Sequence, residues 1–159
     1  MLPIIFLGFS CDDSNGDADI VNQTEEFVST SPQTNINFEE LHSTSDYADL
    51  IERKNLAVYR DQSTYEQALA DITTDVPHTV DFDGSVVVLV SMGERSSGGY
   101  SINVTSATET DDYVTLEISS TLPGGNCAVD QALTQPFSIV KVDSTKEILF
   151  TEQLQITSC

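Results

Sequence analysis

The chain contains no tryptophan, only two histidines, and six lysines and arginines against 26 aspartates and glutamates. That scarcity of cations, with a formal charge of -20, removes nucleic acid and anionic lipid as partners, because both are held by clustered basic side chains that release counterions. Acidity of this degree serves solubility and names no partner by itself. The two histidines, His42 and His78, occur without a CxxC or HExxH spacing, so a zinc framework is missing and both are read as surface residues. Calcium loops fail as well. Around "DFDG" the position two before Asp81 is Thr79, and Val90 stands where the bidentate glutamate belongs. In the acidic stretch near the N-terminus the corresponding frame begins at Cys11. The expectation is a protein with no metal and no cofactor.

Residues Leu2 to Phe9 are almost wholly apolar, too short to span a bilayer and about the length of a signal-peptide core, and they end at Ser10 with Cys11 next. The pattern resembles a bacterial lipobox, in which the cysteine is lipidated and becomes the mature N-terminus; a short apolar N-terminal strand is the alternative. No lysine or arginine precedes the run, which points to a truncated signal peptide over residues 1–10. The aspartates Asp12, Asp13, Asp17 and Asp19 resemble the surface-export signals of Bacteroidetes-type lipoproteins. The expected location is therefore the bacterial cell envelope, as an outer-membrane or cell-surface lipoprotein touching the membrane only through a lipid on Cys11. Of the three cysteines, Cys127 and Cys159 then remain. They form a disulfide in an oxidising compartment or stay as two buried thiols, and the bridge is the favoured reading.

With 39% hydrophobic and 20% charged residues, the remainder suits a single domain with a core. Residues 11–37 are rich in Asp, Asn, Ser, Thr and Gln with few apolar residues, and read as a disordered acidic tether. The globular domain is expected over 38–159. Two strand-like runs flank "ERKN" and suggest a hairpin; the clearer one, "NLAVYRD", sets Leu56 and Val58 against Ala57 and Tyr59. "STYEQALADI" changes to helical period, with Tyr65, Ala68, Leu69 and Ile72 on one stripe and Ser63 with Glu66 as a capping box. "SVVVLVSMG" is a continuous β-branched run, expected as a central strand covered on both faces. "YSINVTSA" and "YVTLEISS" alternate around "TETDD" as a half-buried hairpin, and "FSIVKV" and "EILFTEQLQIT" suggest a closing hairpin turned at "DSTK". The fold class is α+β: a mainly antiparallel sheet or open barrel of six to seven strands with one helix packed on it, or a β-sandwich if the helix is peripheral.

The stretch "SMGERSSGGYSINV" concentrates the candidate chemistry. Ser96 and Ser97 lack the GxSxG elbow, since Glu94 and Arg95 stand before them and no histidine is near in sequence. "SSGGYS" feeds a strand rather than a helix N-terminus, and no GK[ST] follows, so it does not cradle phosphate. Gly98 and Gly99 permit positive φ or close backbone approach. Two readings stand: a hairpin turn with a local Glu94–Arg95 ion pair, or a shaped recognition loop.

These residues carry a resemblance. "VDFDGSVVVLVSMGERSSGGYSINV" followed by "PGGNCAVDQALTQPFSIVKV", with "VYRDQSTYEQAL" upstream, is similar to the PrcB C-terminal domain family of bacterial lipoproteins. Where members of that family often carry Arg-Pro, this chain has Arg95-Ser96. The resemblance implies a non-enzymatic accessory subunit that associates with and stabilises a secreted protease complex, and it brings no catalytic residues. The partner-binding loops would comprise Glu94, Arg95, Ser96, Ser97, Gly98, Gly99 and Tyr100, with Gly124, Gly125, Gln135, Pro136 and Phe137. An alternative likeness is to chagasin-type cysteine-peptidase inhibitors, whose three loops are matched in order by "SSGGY", "PGGN" and "TQPF", with Gln135 at the arginine position and Phe137 at the tryptophan position. The expectation is thus a secreted binding module for a protein partner, an extracytoplasmic protease by the family's implication.

Overall fold

In the computed structural model, residues 32–44 and 53–159 are described, and they form eight strands and one helix. The signal-peptide, lipobox and Cys11 readings, and most of the tether, lie outside the described residues. The strands are β1 (Thr34–Asn35), β2 (Phe38–Thr44), β3 (Asn55–Tyr59), β4 (Val86–Ser91), β5 (Ser101–Glu109), β6 (Tyr113–Pro123), β7 (Phe137–Val142) and β8 (Glu147–Thr157), with α1 at Gln62–Ala70 between β3 and β4. They make two four-stranded sheets, ordered β1-β5-β6-β8 and β2-β7-β4-β3. Strand β1 pairs with β5 through Thr34 and Asn35, ahead of Phe38 where order was expected to begin.

The layering follows from the β4 valines. Val86, Val88 and Val90 pack into an inter-sheet core with Ile102, Val104, Val114, Leu116, Ile118, Val140 and Val142. Val87 and Leu89 point the other way, into a second core with Tyr65, Leu69, Ile72, Phe137 and Ile139. The strand is covered on both faces, as its unbroken apolar run requires, and β3 divides as expected, Leu56 and Val58 toward one core and Ala57 and Tyr59 toward the other. Helix α1 thus lies on the outer face of the second sheet. The result is a mostly β member of the α+β class in which two sheets stack, no barrel closes, and the strands number eight rather than the six to seven expected, because the short β1 and the separate β2 both join the sheets.

Three local expectations are corrected. The helix cap is Asp61, whose carboxylate accepts the Thr64 N–H at 2.9 Å, rather than the Ser63–Glu66 box. An extended residue at N-cap with an acceptor aimed at N3 meets the requirement first. The described strands on either side of "ERKN" do not pair with each other as a hairpin, since β2 pairs with β7 and β3 with β4, and residues 45–52 lie outside the described residues. Nor do β7 and β8 pair. The "DSTK" segment carries the chain from one sheet to the other, held by Ser144 Oγ donating to Glu109 at 2.6 Å and Lys146 Nζ donating to the Thr110 carbonyl at 2.7 Å. Strand β8 then lies parallel to β6, from Tyr113 opposite Glu147 to Pro123 opposite Thr157. Alternation alone cannot distinguish such a crossing from a hairpin, since either leaves every other side chain inward.

Cys127 and Cys159 are joined in a disulfide across a sequence separation of 32. It fastens the end of β8 to the loop after β6. By loop entropy, reduction or Cys159→Ser lowers the unfolding free energy by about 3 to 4 kcal/mol. Urea denaturation with and without reductant measures this, and an unchanged midpoint would show that the bridge does not constrain the unfolded chain.

Candidate functional site

The loop after β4, residues 92–100, is built against the loop between β6 and β7. Met92 N–H donates to the Pro136 carbonyl at 3.0 Å, Gly98 N–H to Asp130 at 2.9 Å, and the Thr134 hydroxyl to the Ser97 carbonyl at 2.8 Å. Between them Arg95 and Thr134 exchange backbone hydrogen bonds at 2.8 and 2.9 Å in an isolated antiparallel bridge. The glycine-rich segments singled out in the sequence therefore share one face of the molecule. A crossed backbone pair holds a loop far more firmly than side-chain contacts alone, because both peptide groups are satisfied within it.

Two glycines make this course possible. Gly93 has φ +73, and a Cβ there would stand 2.5 Å from the Arg53 carbonyl carbon and 2.8 Å from the Lys54 nitrogen. Gly99 has φ +86, and its Cβ would meet Val129 Cγ1 at 2.9 Å. Of the two glycines expected to allow positive φ or close backbone approach, Gly99 has the positive φ; the other positive-φ glycine among the described residues is Gly93.

The proposed contact residues separate by depth. Ser96, Gly99 and Gly125 are exposed, and Glu94, Arg95, Ser97, Gly98, Tyr100 and Gly124 are half-buried. Gln135, Pro136 and Phe137 are buried, Gln135 to 1% and Phe137 to 3% exposure, so in this structure they support the loop face from below. The expected Glu94–Arg95 ion pair is replaced by two other contacts. Arg95 donates to the Glu94 backbone carbonyl at 3.2 Å, and its guanidinium lies 5.6 Å from the centre of the Tyr100 ring. Ser97 Oγ donates to the Gly98 carbonyl at 3.3 Å.

Beside the loop face a cleft of ≈ 460 Å³ opens between the sheets. Met92, Tyr100, Leu122 and Leu154 give it an apolar lining, with Arg95 and the Lys54–Glu152 ion pair also bordering it. Glu152 is held below the usual carboxylate pKa of 4.5 by the Lys54 ammonium and then by the Ser120 hydroxyl. Sequence reading missed this cleft. The alternation in "EILFTEQLQIT" marks an inward face, but only the pairing shows that the other sheet stops short of Leu154 and Ile156, which are 63% and 70% exposed.

Residues 86–143 match the PrcB C-terminal family model. This is the family that the loop motifs resemble, and the matched segment runs from β4 through both loops to the end of β7. The upstream strands and helix, β8 and the cleft wall it supplies lie outside the match. No curated protein and no solved structure matches the chain.

The histidines are also placed differently from the expectation. His78 is exposed, but His42 is buried at 9% exposure. Their rings meet edge to face at 5.0 Å. His42 Nε2 lies 3.1 Å from the hydroxyl of the fully buried Tyr65, and Nδ1 lies 3.5 Å from Asp75. If Nε2 accepts the Tyr65 hydroxyl proton, Nδ1–H faces Asp75; in the other tautomer Nε2–H donates to the tyrosine oxygen. Among the described residues, no cluster of His, Cys, Asp and Glu is arranged to hold a metal ion.

Burial holds the His42 pKa below its usual 6.5, with His78 adding to the shift and Asp75 opposing it. The unfolded chain thus binds the proton more readily than the folded one. The contribution is fully present above the ordinary histidine pKa, about 6.5, and is lost as pH falls from there through the lower folded value. Thermal unfolding between about pH 7.5 and 5 should show Tm falling with acid in the wild type and a shallower slope in His42→Gln. Identical slopes would exclude His42 as the group responsible.

Proposed function

We propose that this chain is a non-enzymatic binding subunit of an extracytoplasmic protease complex, and that it contacts its protein partner through the face formed by residues 92–100 and 123–134. The match of residues 86–143 to the PrcB C-terminal family supports a protease-associated role at the coarse level. The observation that carries the finer reading is the reciprocal Arg95–Thr134 backbone bridge. It makes two glycine-rich loops a single fixed surface, and a surface preorganised in the free protein loses little entropy on binding. Arg95 stacked on Tyr100 gives that surface the residue types that dominate interface energetics. The inhibitor alternative loses one of its two aromatic anchors, because Phe137 is at 3% exposure and packs in the helix-side core, which leaves Tyr100.

The test is co-purification from the native host. The wild-type chain should recover a protease, measured by peptide hydrolysis that a serine-protease inactivator abolishes, and Arg95→Ala combined with Tyr100→Ala should recover at least about tenfold less. Truncating a single interface anchor commonly costs about 2 kcal/mol, which corresponds to roughly thirtyfold in affinity. Equal recovery by the double variant would remove the loop face from the account.

The subunit is further proposed to be a lipoprotein of the bacterial cell envelope, anchored at Cys11 through a tether. The apolar run before Cys11 and the aspartates after it support this reading. The mass of the native protein should begin at Cys11 with added acyl groups, and an unmodified Cys11 would overturn the anchor.

A further inference from the structure

Strand β8 ends its sheet and pairs with β6 in unbroken register over its whole length. Within Glu147–Thr157 there is no lysine, arginine or proline. Proteins usually protect a free edge with such residues, with a bulge, or with a short strand. Here the edge is long and regular, its one inward-pointing charge, Glu152, is neutralised by Lys54, and from Thr151 onward every residue is exposed. Leu154 and Ile156 lie on the same face as Leu122, by their register with Ser120 and Leu122. A row of backbone donors and acceptors therefore runs alongside the apolar cleft.

Charge selects what can lie there. A second copy would bring a formal charge of -20 against -20, which opposes edge-to-edge self-pairing. Inside the cleft the balance is reversed. Lys54 and Glu152 neutralise each other, whereas no carboxylate among the described residues lies within ion-pair distance of Arg95. The cleft thus carries one uncompensated cation. The Lys54–Glu152 pair also ties β8 to the residue preceding β3 in the other sheet, at the border of the cleft.

We infer that the cleft takes the C-terminal end of a partner polypeptide, added as an extra strand on the β8 edge, with an apolar last side chain against Met92, Leu122 and Leu154 and the terminal carboxylate on Arg95. Main-chain hydrogen bonds along β8 supply affinity, and the apolar pocket and guanidinium supply specificity. The inference rests on the proposed partner-binding role, since Arg95 and Tyr100 serve both, and it names the part of the partner that is held.

The probes are three fluorescein-labelled peptides of about eight residues, alternating threonine and valine and ending in valine, leucine or phenylalanine, a length suited to strand addition. They are titrated into the full chain by fluorescence anisotropy, each as the free acid and as the C-terminal amide, with decanoate as a competitor. At least one free acid should bind at least about tenfold tighter than its amide, the charge-assisted contribution expected of a carboxylate on arginine. Arg95→Gln should abolish that difference, and Leu154→Lys should weaken the acid at least about tenfold by placing a lysine in the edge strand. Thermal unfolding checks that both variants are folded; both side chains are at least partly exposed. Equal binding of acid and amide, binding unaffected by either variant, or no binding of any peptide overturns the inference. Displacement by decanoate at matching concentration overturns strand addition, because it would mean that an apolar carboxylate alone suffices. If the wild-type chain still recovers a protease from the host, and the Arg95→Ala, Tyr100→Ala variant does not, while all peptides fail, the partner-binding role stands and only this inference falls.

Discussion

The distribution of the β4 side chains between two apolar layers is the constraint on which the rest of the molecule depends. Val86, Val88 and Val90 fill the space between the sheets while Val87 and Leu89 fill the space beneath α1. A one-residue slip of this strand would exchange the two sets, and every neighbour in its sheet would be out of step. The strand also leads directly into Met92 and Gly93, so the loop face inherits its position from the best-buried segment of the chain. That loop begins at a fixed point, and Ser91 Oγ accepts the Gly93 N–H at 3.1 Å where it departs.

What could be read from the amino acids was local. The β-branched run, the alternation in β3, β5 and β6, and the helical stripe of Tyr65, Ala68, Leu69 and Ile72 each state a period and a degree of burial, and the structure agrees, with Ala68 only half-buried and Ile72 two residues past the end of the helix. What could not be read was pairing between distant elements. β2 with β7 and β6 with β8 depend on which of several equally apolar faces meet, and no single segment encodes that. The histidines illustrate the same limit. Nothing in "LHSTS" distinguishes a surface His42 from one enclosed by Tyr65, His78 and Asp75, because those groups come from a different part of the chain.

The candidate site divides in the same way. The glycine-rich loops and the Arg95–Tyr100 combination were visible because glycine, arginine and aromatic residues in a short span are unusual beside regular strands. The depth of Gln135, Pro136 and Phe137 was not visible, since a Pro-Phe pair suits an exposed anchor and a buried wedge equally. The cleft was the least visible feature. Its wall belongs to β8, beyond the segment that matches the PrcB C-terminal family, and it exists only because one sheet outreaches the other.

The parallel pairing of β6 with β8 also bears on the order in which the molecule assembles. The chain must pass through β7, in the opposite sheet, before β8 can reach its place, so the closing contacts span much of the domain and form slowly compared with the β5–β6 hairpin. The Arg95–Thr134 bridge needs only β4, β5, β6 and β7, whereas Gly124 lies against the Thr157 carbonyl and Cys127 is bonded to Cys159, so the "PGGN" segment waits for β8. The cleft wall arrives afterwards. A population of chains arrested before that last step would display the Arg95–Thr134 bridge with the "PGGN" segment unanchored and Leu116 and Ile118 without their β8 neighbours, and the disulfide to Cys127 would record, covalently, which chains had finished.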